Sequence, residues 1–185
     1  LNSFGSLYSI DIKNMNINWF INLNNTFELN PSNLFLASQT VNDKNLTLVS
    51  TDKNFFIIDN QTGTILKKHN ISSIVRPIVH NNIAYIVTTN NLLISINLDQ
   101  KEILFSYSLK KQSPNLFKQK IKIKNFVILN NKIQIFLNNS YILSYKLDGQ
   151  FDRYFKLSQK INSNPIFINE SVLYINKKNK LNIIN

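Results

Sequence analysis

The sequence predicts an all-β chain built from repeated units of four short antiparallel strands. Apolar and β-branched residues come in runs of four to six, broken by Asn, Asp, Thr and Lys. No helical spacing is sustained over ten or more positions, so the pattern is that of strands. One segment also recurs: Leu7-Tyr8-Ser9-Ile10-Asp11, Phe55-Phe56-Ile57-Ile58-Asp59, Leu93-Ile94-Ser95-Ile96-Asn97, Ile142-Leu143-Ser144-Tyr145-Lys146 and Leu181-Asn182-Ile183-Ile184-Asn185. The copies begin at residues 7, 55, 93, 142 and 181, so successive spacings are 48, 38, 49 and 39 residues. A period near forty with strand-like runs points to stacked sheets rather than helical repeats.

The third unit shows each element in order. Its strands are predicted at Pro77–His80, Ile83–Thr88, Leu92–Asn97 and Ile103–Ser108. Asn81-Asn82 and Asn90-Asn91 fall between them. Tight hairpins need positive φ, which Asn tolerates best after Gly. A chain with 3 Gly and 32 Asn can therefore still make many hairpins. Pro77–Val87 aligns with Pro165–Ile175, each Pro sixteen positions before its Leu. Phe126–Phe136 aligns without gaps before Ile142. In the second unit only Leu46-Thr47-Leu48-Val49 is clear, and its first strand reads as displaced by an insertion near residues 39–45.

Asp11 and Asp59 follow their strands directly, where a carboxylate caps the next turn. Twelve positions after the first apolar residue of each copy lie Trp19, Lys67, Phe105 and Tyr154. The aromatics are expected to fill the gap between neighbouring sheets. Lys67 is expected to weaken one such contact unless its stem packs along it. A four-stranded sheet this small cannot bury both faces alone. Stacking around an axis solves that, which makes the architecture a β-propeller with apolar faces exposed at both ends of the stack.

At this point the motifs resemble a known family. The run LYSIDIKNMNINW (7–19) resembles the LYALDAKTGKVLW consensus of PQQ-like, quinoprotein-type propeller repeats, and FFIIDNQTGTIL (55–66) keeps the Thr-Gly of that motif. RPIVHNNIAYIVTTNNLLISINL (76–98) is similar to the strand pair that precedes it. The Trp-Asp and Gly-His signatures of WD repeats and the Gly-Gly of kelch repeats do not occur. The resemblance covers most of residues 1–185, about four blades. Such propellers commonly close with eight, so it implies a fragment of an eight-bladed ring. The chain begins at Leu1 and ends within a strand pattern, which fits a fragment or a mature chain.

The resemblance implies two functions, and the charge pattern adds a third. The compact, cofactor-free BamB type implies a protein-interaction scaffold for outer-membrane protein assembly. It would sit on the periplasmic side, with a protein partner and an upstream lipidated Cys. A quinoprotein dehydrogenase would instead hold PQQ and calcium. It would need a catalytic Asp, carboxylate ligands, an aromatic stacking partner and often a Cys pair. Asp148 and Asp152 flank a Gly-containing turn and read as turn residues, and the chain has no Cys. No catalytic, cofactor or metal residue is therefore assigned.

The third function, a basic surface binding anionic lipid or nucleic acid, rests on one lysine-rich stretch in a chain of net charge +11. Lys110, Lys111, Lys118, Lys120, Lys122 and Lys124 occur without an acid between them, near Phe117 and Phe126. A solvated connection and a Lys-protected edge strand account for this stretch most simply. Were it to bind, an acidic protein or lipid headgroup would suit it better than nucleic acid, which is usually gripped by Arg forks. Only Arg76 and Arg153 are present. The abundance of Asn, Lys, Ile and Phe looks like AT-rich coding bias, which lowers the weight of any single Lys. The absence of Cys removes disulfides and thiolate chemistry. No apolar run approaches the roughly 20 residues of a membrane helix. His69 and His80 read as strand-end residues.

Overall fold

The computed structural model describes residues 1–24, 35–118, 121–163, 165–168 and 171–184. Five antiparallel sheets follow one another along the chain. Blade I holds β1 (Ser6–Asp11) and β2 (Asn16–Asn22). Blade II holds β3 (Val41–Asp43), β4 (Leu46–Ser50), β5 (Phe55–Asp59) and β6 (Ile65–His69). Blade III holds β7 (Ile78–His80), β8 (Ile83–Val87), β9 (Leu92–Asn97) and β10 (Glu102–Ser108). Blade IV holds β11 (Ile123–Leu129), β12 (Lys132–Leu137), β13 (Tyr141–Lys146) and β14 (Phe151–Lys156). Blade V holds β15 (Ile166–Ile168), β16 (Ser171–Ile175) and β17 (Leu181–Ile184). Each strand pairs with its sequence neighbour, as in propeller blades.

Turn chemistry explains the meanders. Asn81 and Asn82 have φ of 48° and 62°, and Asn130 and Asn131 have 50° and 55°. The Asn-Asn hairpins at 81–82 and 130–131 are thus built from left-handed residues, whereas at the predicted Asn90-Asn91 turn only Asn91, with φ of 60°, is left-handed. Asp59 Oδ1 accepts from the Gln61 and Thr62 N–H groups at 3.0 and 2.8 Å. Asp11 Oδ1 accepts from Lys13 N–H at 2.9 Å. Both are turn caps, as the sequence predicts.

One expectation about blade II fails. Val41–Asp43 pairs with Leu46–Leu48 in the same register as Ile78–His80 with Ile83–Tyr85. The first strand is therefore present without an insertion. Two of its three side chains are polar, Asn42 and Asp43, which hid it from an apolar pattern search.

Alternation along the strands divides each core. In β8, Ala84 and Ile86 pack toward blade II, with Phe55, Ile57 and Ile94. Tyr85 and Val87 pack toward blade IV, with Ile133, Ile135 and Tyr145. In blade IV, Phe136 and Ile142 turn the other way, onto Val172 and Tyr174 of blade V. Leu7 of blade I meets Val49, Phe56 and Ile58 of blade II. Each fully buried apolar side chain contributes about 1.5–3 kcal/mol, and no blade could gather this alone. The outer faces at both ends of the stack remain open: Tyr8, Ile10 and Phe20 on blade I, and Ile166, Leu181 and Ile183 on blade V, are exposed.

The outermost strands make the blade junctions. Trp19 lies against Gly63 of blade II, and its Nε1–H donates to Asn60 O at 3.0 Å. Phe105 and Tyr107 lie against Gly149 of blade IV. These three aromatics thus bridge to the following blade where it carries a Gly. Lys67 faces blade III, where the corresponding turn residue is Lys101, and Lys67 Nζ pairs with Glu102 Oε1 at 3.1 Å. An ion pair stands there in place of an aromatic wedge.

Tyr154 does not fill the equivalent place. Counting Thr64 and Gln150, whose carbonyls accept from Asp59 and Lys146 N–H, as the counterparts of Glu102, the loops before β2, β6 and β10 are four residues long (12–15, 60–63 and 98–101), whereas that before β14 has three (147–149). Arg153, opposite Ser144, consequently takes the position that Phe105 holds opposite Ser95. Tyr154 moves to the other face, where it packs against Tyr141 and Phe151. A one-residue slip inverts a strand side chain.

Candidate functional site

A four-stranded meander has two edges. The first and third hairpins lie at one, which we call the hairpin edge. The second hairpin and the links between blades lie at the other, the connector edge. Backbone bonds knit the connector edge together. Ser73 N–H donates to Thr51 O at 2.8 Å, Thr89 N–H to Ser72 O at 3.0 Å, and Leu109 N–H to Asn91 O at 2.9 Å. Farther along, Asn138 N–H donates to Lys122 O at 2.9 Å and Lys177 N–H to Lys160 O at 3.0 Å.

Charge is sorted between these edges. At the hairpin edge, the third hairpins and the first residues beyond them carry Asp11, Asp59, Asp99, Glu102, Asp148 and Asp152, with Asp43 at a first hairpin. Lys13, Lys44, Lys101, Lys132, Lys146 and Arg153 nearly balance them. Lys132 Nζ meets Asp152 Oδ2 at 2.8 Å, which holds the Asp152 carboxyl below the usual carboxylate range. The carboxyl of Asp59 is likewise held low, by its bonds from Thr62.

The connector edge has no such balance. Lys53 and Arg76 lie there on blade II and the link that follows it, and both are exposed. Lys110 and Lys111 project from α1 (Leu109–Gln112), a single turn capped by Ser108, whose Oγ accepts from Lys111 N–H at 3.3 Å. Lys122, Lys156 and Lys160 continue the series, and Lys177, Lys178 and Lys180 close it on blade V. All are exposed. Among the described residues the only acid at this edge is Asp52, and no ion pair forms there.

Of the predicted basic stretch, Lys110 and Lys111 are therefore solvent-facing. Lys118 ends a short 3-10 turn and is described in its backbone alone, and Lys120 lies outside the described residues. Phe117 and Phe126 are buried in the core between blades III and IV. They pin the connection down and offer no ring to a ligand. The stretch is one arc of a longer basic edge, a feature that a linear scan for lysine runs misses. Assigning alternate hairpins to opposite edges would have found it.

Beside Arg76 a cavity of about 600 Å³ opens, lined by Leu1, Asn2, Phe35, Ser38 and Gln39 among others. Arg76 is its one charged lining residue among the described residues. No three His, Asp or Glu side chains gather to hold a metal among the described residues.

His69 is more than a strand-end residue. It is buried between blades II and III, with Nε2 3.0 Å from Lys101 O. Burial pushes the imidazole below its ordinary value, aided by Lys67 and opposed by the Lys101 carbonyl and Glu102. The unfolded chain therefore binds more protons than the folded one near and below the ordinary value. Stability is complete above about pH 6.5 and is lost as pH falls through that value toward the lowered one. Urea midpoints are expected to drop between about pH 7.5 and pH 5. In His69→Gln that slope is expected to flatten; an unchanged slope would assign it elsewhere.

No family model and no curated protein matches the sequence. Solved structures do. BamB from Moraxella catarrhalis is similar with a TM-score of 0.60 at 12% identity, over 97% of this chain and 66% of that one. BBS1N, from a crystal of its complex with ARL6DN, gives 0.69 at 12% identity, over 100% of this chain and 59% of that one. Quinohemoprotein alcohol dehydrogenase from Comamonas testosteroni gives 0.68 at 10% identity, over 99% and 39%. The chain thus spans 66% or less of each. At these identities the likeness shows the fold, a β-propeller.

Proposed function

We propose that the chain is a non-catalytic scaffold for protein–protein interaction, working on the periplasmic side of the outer membrane in outer-membrane protein assembly, as a BamB-like propeller would. One observation carries this reading. Five of the hairpin-edge carboxylates are already engaged: Asp59 accepts two backbone N–H groups of its own turn, Asp11 one, and Asp148 that of Gln150 at 2.9 Å, while Glu102 and Asp152 pair with Lys67 and Lys132. A calcium–quinone site needs carboxylate oxygens free to converge on an ion that takes six to eight oxygen ligands. Surfaces given over to turns and blade packing suit docking better than turnover. The likeness to BBS1N, crystallised with a protein partner, supports partner binding in a general way.

Two measurements on the full chain test this. Titration with the soluble periplasmic domain of an outer-membrane assembly channel is expected to give saturable binding. Addition of PQQ and calcium is expected to leave the quinone absorbance unchanged. A quinone spectral shift with alcohol-dependent dye reduction would overturn the scaffold reading in favour of a dehydrogenase, and absence of channel binding would remove the assembly role.

A further inference from the structure

We propose that the connector edge is a docking face for an anionic lipid bilayer. The inference is independent of the scaffold reading, because it rests on placement of charge rather than on likeness to other propellers. Coding bias toward Lys sets how many lysines the chain has. It acts on both edges alike, so it cannot explain why, among the described residues, one edge is nearly balanced and the other carries almost all the excess. Among the described residues no cation at the connector edge is in an ion pair, and lysines so spread over a broad edge fit a field of headgroups.

A second feature points to a membrane rather than another polyanion. Exposed apolar side chains share this edge: Phe4, just before the start of β1 at this edge, Leu36 and Ile74 are 61%, 54% and 55% exposed. Since Ile12 and Met15 are exposed at the hairpin edge too, it is the combination with unbalanced positive charge that sets the connector edge apart. Leu36 O accepts from Asp52 N–H at 3.0 Å, which fixes it at this edge, and Ile74 lies in the link that carries Arg76. Apolar tips among lysines are the surface pattern of proteins that rest in the headgroup layer. Nucleic acid would call for Arg forks and open aromatic faces. Here Arg76 is the single described Arg at this edge, and Phe117 and Phe126 are buried.

The test is co-sedimentation of the full chain with vesicles of phosphatidylcholine, alone or with about one-third phosphatidylglycerol. Binding is expected only to the anionic vesicles and is expected to weaken as salt shortens the screening length. The triple variant Lys110→Gln, Lys111→Gln, Lys178→Gln is expected to bind about a hundredfold more weakly, at about fivefold per lysine. The control Lys13→Gln, Lys44→Asn, Lys146→Gln removes the same charge from the hairpin edge and is expected to change binding by less than about threefold. Phe4→Ser with Ile74→Ser is expected to abolish what binding persists at high salt. Equal losses in the two triple variants would reduce the effect to net charge and overturn the proposal. So would failure to bind anionic vesicles, or tighter binding to a single-stranded oligonucleotide in the same buffer.

Discussion

Gly149→Val is expected to destabilise the chain by about 2–5 kcal/mol, read as a fall in the urea midpoint. Two costs add. Gly149 has φ of 83°, a conformation that a β-branched residue adopts only under strain. A Cβ there would also stand 2.6 Å from both Phe105 and Tyr107 of the preceding blade. The position is where one blade's outer strand closes on the next, so the damage falls on the junction of blades III and IV. Phe105→Ala in the same chain is expected to restore part of the loss, because it removes one of the two clashing rings. Strict additivity of the two substitutions would show that Phe105 and Gly149 do not meet.

Phe55→Ala is expected to cost about 3–5 kcal/mol with little change in denaturant slope. Phe55 is fully buried in the cluster shared by blades II and III, among Leu48, Ile57, Ala84 and Ile86. These residues sit on short strands whose backbones are fixed by pairing on both sides, so the cavity cannot collapse fully. A cost below about 1 kcal/mol would mean that the two blades are not packed as described.

The strands and hairpins of this fold were legible because their causes are local. The turn at Asn81-Asn82 follows from what Asn tolerates, and the strands of blade III from alternation over five or six residues; all fall within a residue or two of their predicted limits. The hidden features depend on partners far away in sequence. Lys67 finds Glu102 and His69 finds the Lys101 carbonyl across 35 and 32 positions, on the neighbouring blade. The displaced Tyr154 reflects a fixed count of twelve applied to a hairpin one residue short. The basic edge was half seen: Lys110–Lys124 stood out as a run, while Lys53, Lys160 and Lys177 join it only once the meander is folded.

The short hairpin before β14 has a wider meaning. Side chains on a strand address opposite neighbours in turn, so loop length there works as a parity bit. Odd insertions or deletions redirect the whole outer strand to the other adjoining blade; even ones leave its target unchanged. Drift in such repeats should therefore accumulate two-residue length changes quietly, and each single-residue change should be accompanied by exchanged wedge residues on both flanks.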